Sequence, residues 1–252
     1  MFVKSRLRSG FIDLHCHIIP GVDDGARDMD TAFAMVKLSY EEGIRTIVAT
    51  PHYHQGKMLC GEEELKKRFE KFKVWVQELF PELTILYGRE VYMTYDAVEI
   101  LEQSREAFCI CGTRYILVEF HTTAEYSYMM NLLRHLIFMG YLPILAHIER
   151  YECLCGHVDR IVELRTLNVV IQVNALSVIG QSGRTIQKFI KKLIQERMVD
   201  IVATDAHTTE RRAPRLRTAA CYIEKKFGTG MMERLLIHNP NKIIRGEYLE
   251  EW

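Results

Sequence analysis

Apolar residues along the chain fall into short runs that alternate with longer stretches of helical spacing. Phe11, Ile12 and Leu14 open a strand; Ala32, Met35, Val36, Ser39 and Tyr40 then recur at helical intervals over 29–43, and Gly43 stands where a terminating glycine belongs. The β-branched run over 44–49 predicts a second strand, leading into Thr50, Pro51 and His52. The alternation continues with strands over 83–87, 115–118, 142–146, 169–173 and 199–203. Between and after them, helices are predicted over 62–79, 96–107, 124–139, 157–167, 185–196, 214–227 and 231–237.

Seven strands alternating with helices imply an α/β protein with a parallel sheet. No Gly/Ser linker, low-complexity tract or composition break interrupts residues 11–252, so one closed or nearly closed barrel domain is expected there. Residues 1–10 are basic, carry no apolar core, and read as a flexible N-terminal extension.

A hydrophobic share of 48% supplies an ample core, and Lys plus Arg equals Asp plus Glu at 33 each. Without an overall field the chain is not drawn to nucleic acid, and no apolar run reaches membrane-spanning length, so a cytoplasmic protein without membrane insertion is expected. The seven cysteines include two C-x-C pairs, Cys109/Cys111 and Cys153/Cys155, that lack zinc-ribbon spacing and read as reduced thiols. A thiolate phosphatase needs C-x5-R, but the residues six after the cysteines are Val22, Lys66, Tyr115, Leu117, Asp159, Ile161 and Phe227. A Walker loop is likewise missing.

The chemistry is concentrated where strands end. His15 and His17 are two apart on a strand and point the same way, which makes a divalent-metal half-site. His52, Glu90, Glu119, His147, Asp205 and His207 also follow strands, and a parallel barrel gathers such residues on one rim. Taken singly, each could be an ordinary hydrogen-bonded loop residue; their recurrence at strand after strand points to a metal site.

The ordered set Asp13-Leu14-His15-Cys16-His17, Pro20-Gly21-Val22-Asp23-Asp24-Gly25, Ala49-Thr50-Pro51-His52, Gly88-Arg89-Glu90-Val91-Tyr92, Leu117-Val118-Glu119-Phe120, Leu145-Ala146-His147-Ile148-Glu149-Arg150-Tyr151, Gln172-Val173-Asn174 and Thr204-Asp205-Ala206-His207, with Arg212 behind it, resembles the polymerase and histidinol phosphatase (PHP) superfamily. Within it, the resemblance is to bacterial metal-dependent protein-tyrosine phosphatases of the CpsB/YwqE/CapC type. Thr208 and Ile148 depart from the Asn and Pro usual there.

This resemblance implies a distorted (β/α)7 barrel with its active site at the carboxyl ends of the strands. It implies three divalent ions, usually manganese, although iron, cobalt or zinc suit the same donors. One ion would take His15, His17, Glu90 and Asp205; a second Glu90, Glu119 and His147; a third Asp24, His52 and His207. His121, two residues past Glu119, stays open as a substitute ligand. Arg150 and Arg212 would clamp the phosphate, and Glu90 and Asp205 would take part in catalysis. The implied reaction is attack of metal-activated hydroxide on phosphotyrosine with no covalent phosphoenzyme. The implied partner is a phosphotyrosine protein, in particular the tail of a bacterial tyrosine kinase that controls capsule or exopolysaccharide synthesis. The alternatives are a small-molecule phosphomonoesterase such as histidinol phosphatase, and a non-catalytic metal-containing protein that binds a kinase.

Overall fold

Two of the seven expected strands are followed, across a two-residue kink, by a second short segment that begins at a candidate ligand. The structure is a computed structural model and describes residues 10–56, 58–103 and 107–250. The N-terminal half runs β1 (Phe11–Cys16), α1 (Met29–Glu41), β2 (Ile44–Ala49), β3 (His52–Tyr53), α2 (Glu62–Leu79), β4 (Thr84–Tyr87), β5 (Glu90–Tyr92) and α3 (Tyr95–Gln103). It continues with β6 (Tyr115–Glu119), α4 (Tyr126–Phe138), β7 (Leu142–Leu145), α5 (Val158–Thr166), β8 (Val170–Asn174), α6 (Ala175–Val178), α7 (Arg184–Gln195), β9 (Ile201–Ala203) and α8 (Leu216–Phe227). The expected helix over 231–237 is longer and compound: α9 (Thr229–Glu233), a π-helical turn at Arg234–His238 and α10 (Asn239–Ile244) follow one another. The expected arm at 1–10 falls on residues outside those described except for Gly10, as do 104–106 of the helix expected over 96–107.

Every strand pairing is parallel, in the orders β1-β2-β4 and β3-β5-β6-β7-β8-β9. β2 passes into β3 across Thr50-Pro51, and β4 into β5 across Gly88-Arg89. Proline has no N–H for a ladder, so the break at Pro51 is local chemistry. Its carbonyl still accepts from Glu90 N at 3.3 Å and from Arg89 Nε at 3.2 Å. Gly88 lets the Ile110 side chain approach closely, since a Cβ there would lie 2.6 Å from Ile110 Cδ1. The ring closes at β1 and β9 through a parallel bridge between Cys16 and Ala206. Seven staves built from nine strand segments make the curled, distorted barrel.

Ile12, Leu14, Val48, Leu117, Ile144, Val170 and Ile201 form a small apolar cluster drawn from strand after strand, the filling of the barrel interior. A larger cluster lies between the sheet and its helices and includes Cys16, which is fully buried. Because all staves run the same way, their carboxyl ends share one rim.

Candidate metal centre

Glu90, at the start of β5 beyond the kink, is fully buried and stands at the middle of the rim. Its Oε2 lies 3.1 Å from His15 Nε2, 3.1 Å from His17 Nε2 and 3.1 Å from His52 Nδ1. Its Oε1 lies 3.0 Å from His147 Nε2. Asp205 Oδ1 lies 3.4 Å from His15 Nε2 and 3.7 Å from His17 Nε2. On the other side, His52 Nδ1 is 3.2 Å from Glu119 Oε1, while its Nε2 is 3.2 Å from Asp24 Oδ1. The same Asp24 oxygen lies 3.3 Å from His207 Nε2. Three donor groups result: His15, His17, Glu90 and Asp205; His17, Asp24, His52 and His207; and His52, Glu90 and Glu119.

A layer of hydrogen bonds behind these side chains fixes which nitrogen faces inward. His17 Nδ1 is 2.8 Å from Asp23 Oδ2, and a carboxylate only accepts, so this nitrogen carries a hydrogen and Nε2 is the one turned to the cluster. Asp23 also accepts from the backbone N–H groups of Gly25 and His52. His15 Nδ1 faces Gln172 Oε1 at 3.3 Å, and that oxygen accepts from His147 N at 2.7 Å. Gln172 Nε2 donates to Asn174 Oδ1, and Asn174 Nδ2 donates to Asp205 Oδ2. His207 Nδ1 donates to the Asp205 carbonyl at 3.0 Å. Hydrogen bonds of this kind behind a cluster are what orient histidine side chains toward a cation where one binds.

The backbone is strained at two of the inward groups. His147 has φ 33° and Asp205 φ 53°, a region that non-glycine residues seldom enter. Asp13 braces the second of these turns, accepting from the Thr204 N–H at 2.9 Å and the Thr204 hydroxyl at 2.5 Å.

The donor set fits divalent cations. Glu90 Oε2, His147 Nδ1 and His207 Nε2 are buried without a hydrogen-bond partner, and His15 Nε2 faces His17 Nε2 at 3.1 Å. Bare imidazole nitrogens and carboxylate oxygens turned toward one another are what a cation with N/O preference requires. Burial disfavours the Glu90 anion, yet His15, His147 and His17 hold its carboxyl well below the usual range. Burial also opposes a His52 cation, but Asp24 and Glu119 lift that imidazole to about 11. His207 goes the other way: burial and the neighbouring His17 push it down to about 4. Burial drives the Cys16 thiol well above its ordinary value, which makes it inert packing.

Every expected ligand reaches the rim. The first expected set is a single donor group; the second has His147 3.6 Å from Glu119 Oε2, with His52 standing nearer; the third is joined by His17. His121 is exposed and hydrogen-bonded to Thr123, away from the donor groups. Arg150 Nη1 lies 3.3 Å from Asp205 Oδ2 and Arg212 Nη2 2.7 Å from Asp205 Oδ1, both guanidiniums partly exposed. Sequence reasoning gave no role to Asp13, Asp23, Gln172 or Asn174, although all lie inside its motifs; only the contacts reveal their work. Nor did it single out Arg89, which is fully buried behind His52.

A cavity of about 970 Å³ beside α2 and β4, lined by Lys66, Phe69, Lys73, Tyr87 and Cys111, includes none of the clustered residues. A smaller one of about 320 Å³ opens on the cluster, bounded by Asp23, Asp24, His52 and Glu119.

A parallel barrel of the PHP type with histidines and carboxylates converging at the ends of its strands defines the class: a metal-dependent hydrolase. The chain belongs to the CpsB/CapC family of capsular polysaccharide synthesis, whose model matches residues 11–245. It is 32% identical over 243 residues to the tyrosine-protein phosphatase CpsB of Streptococcus pneumoniae, covering 94% of this chain and all of that protein. To the tyrosine-protein phosphatase YwqE of Bacillus subtilis it is 30% identical over 237 residues, covering 94% of this chain and 92% of the relative. A crystal structure from work on YwqE and CpsB, described as unique metal-dependent tyrosine phosphatases, matches with a TM-score of 0.87 at 28% identity. That match covers 96% of this chain and 97% of the other. No helix among the described residues is long and apolar enough to cross a membrane.

Proposed function

We propose that this protein is a metal-dependent phosphatase that hydrolyses phosphotyrosine in protein substrates, holding three divalent ions, manganese in the first instance. The observation that carries the reading is the convergence of His15, His17 and His52 nitrogens on one buried Glu90 oxygen, each at 3.1 Å, beside two arginines. Family membership and the names of the relatives support the tyrosine assignment.

Ions in such a cluster supply a nucleophile near neutral pH and cancel charge on the phosphoryl oxygens. The chain's own residues do the rest. Glu90 presents one oxygen to His147 and the other to three histidines, so it would help to hold two of the ions. Burial opposes the Asp205 anion, but His15 and His147 keep it ionised, so it serves as an acceptor and ligand and does not donate a proton. The leaving phenol has a pKa near about 10 and needs little protonation. Arg150 and Arg212, anchored by one N–H each on Asp205, keep further N–H groups for bidentate bonds to the phosphoryl oxygens.

The substrate we favour is the tyrosine-phosphorylated tail of a bacterial kinase acting in capsule synthesis, met in the cytoplasm. The test is a panel of phosphotyrosine peptide, para-nitrophenyl phosphate, histidinol phosphate and single-stranded DNA, on protein whose metals have been counted by elemental analysis. Manganese-dependent, chelator-sensitive hydrolysis of the two aryl phosphates is expected. Chelator-insensitive turnover, or metal-loaded protein without turnover, sinks the reading.

A further inference from the structure

The ladder that carries the candidate ligands continues past them. His52 pairs with Glu90 between β3 and β5, both facing the cluster, so the residues two further on, His54 and Tyr92, share that face. Their rings stack at 4.2 Å between centroids with an interplanar angle of 5°. A flat, partly exposed aromatic pair thus stands one step outward from the ligands.

The cavity of about 320 Å³ beside the cluster has two kinds of wall. Asp23, Asp24, His52 and Glu119 supply the polar side; Val22, His54, Met58 and Leu59 supply the other. Leu59 is 68% exposed, an unusual position for a leucine, and Met58 is held in place by Arg89, whose Nη2 lies 3.4 Å from its sulfur. The two arginines stand elsewhere on the rim, after β7 and β9. The cavity therefore lies on the flank of the cluster formed by the loops after β1, β3 and β6.

Resting on the phosphatase reading, we propose that His54, backed by the Tyr92 ring stacked on it, forms with Met58 and Leu59 the subsite for the aryl group of the substrate. One ester oxygen separates phosphorus from the ring, so a phosphate held at the cluster must place its ring against an adjoining wall. This wall combines a stacked aromatic platform with a thioether and an exposed aliphatic side chain, surfaces that favour a flat ring over a hydroxyalkyl chain. The subsite sets preference for aryl over alkyl phosphates and plays no part in bond cleavage.

The test compares phenylphosphonate with methylphosphonate, which share a head group and cannot be hydrolysed. Their binding to metal-loaded protein is measured by calorimetry for the wild type, for Leu59→Ser combined with Met58→Ala, and for His54→Ala. The wild type is expected to bind the phenyl compound about tenfold more tightly, with the gap reduced to about twofold in the variants and metal content unchanged. Equal affinities in the wild type, or a gap that survives in both variants, overturns the proposal. Lack of para-nitrophenyl phosphate hydrolysis by the metal-loaded wild type would sink the phosphatase reading alone, whereas the phosphonate comparison decides the aryl subsite with or without turnover.

Discussion

Glu90 and His147 meet at 3.0 Å through Glu90 Oε1, which leaves Glu90 Oε2 to face His15, His17 and His52. One buried carboxylate thus touches four imidazoles from three different staves, and two donor groups share it. Glu90→Gln keeps the shape but replaces one oxygen by an amide that coordinates poorly. Metal content by elemental analysis is expected to fall by at least one ion, and aryl phosphate hydrolysis by more than about a hundredfold. Full metal content with full activity would remove Glu90 from the centre.

Metal removal bears on stability as well as activity. The rim brings together buried carboxylates and bare ring nitrogens whose partners are one another. Ions that bind only the folded chain stabilise it by about 2.7 kcal/mol at a hundredfold excess over Kd. For a domain of this length that is a rise in Tm of about 5–10 °C. Calorimetric scans with manganese and with chelator should differ by that amount for one ion and by more for each further one; coincident melting curves would argue against the site.

The barrel and the gathering of the candidate ligands on one rim were legible because they rest on local signals. Apolar runs mark strands, and β1 shows its histidine pair as an i, i+2 spacing. The interruptions at Pro51 and Gly88 were harder to read, since a run such as 44–49 gives no sign that its partner changes from β4 to β5 beyond the kink. The outer shell was hidden for a different reason. Gln172 bonds His15 and His147 across 157 and 25 residues, and only the closed ring brings such positions together. Nor does any glycine mark the left-handed turn at His147, which holds its strained φ through tertiary contacts.

Arg212 is expected to bind phosphate and not metal. Its Nη2 holds Asp205 Oδ1 at 2.7 Å, and the guanidinium is 35% exposed toward the rim. Arg212→Ala should raise KM for para-nitrophenyl phosphate and weaken inhibition by inorganic phosphate, each by about ten- to a hundredfold, with metal content retained. Arg212→Lys keeps the charge without the fork and should fall between. Loss of metal in the alanine variant, with phosphate inhibition unaltered, would make Arg212 a brace for Asp205 instead.

Away from the rim, Asp200 gives a pH-dependent contribution. Burial pushes its carboxyl above the usual range, although Arg165 Nη1 at 2.7 Å and the Ile171 N–H at 2.9 Å pull the other way. The folded chain therefore keeps this proton to a higher pH than the unfolded chain does. Stability from this group is greatest below the ordinary carboxylate value of about 4 and falls as pH rises through the raised one. Asp200→Asn cannot ionise, so the wild type's stability relative to the variant should decline as pH rises from about 4. Urea titrations across that range measure it, and a difference independent of pH would contradict the assignment.

Arg89 ties the kink to the metal centre, and its loss should be felt in both. The side chain is fully buried, and its guanidinium donates to Pro51 O at 3.2 Å, His52 O at 2.9 Å and Glu62 Oε1 at 2.8 Å. Those bonds hold the start of β3, and with it His52, against the first turn of α2. Arg89→Met fills similar space but takes the guanidinium from His52 O and leaves Pro51 O with the Glu90 N–H alone, at a cost of about 1–3 kcal/mol. Because Glu62 is 43% exposed, water can take over its share. The consequence for the site is separable from the loss of stability. With His52 less firmly placed, the ion it shares with Asp24 and His207 should leave at lower chelator concentration than the ion held by His15, His17, Glu90 and Asp205. Stepwise chelation followed by elemental analysis reads that order directly. Simultaneous release of all ions from a folded variant would show that Arg89 acts on stability alone.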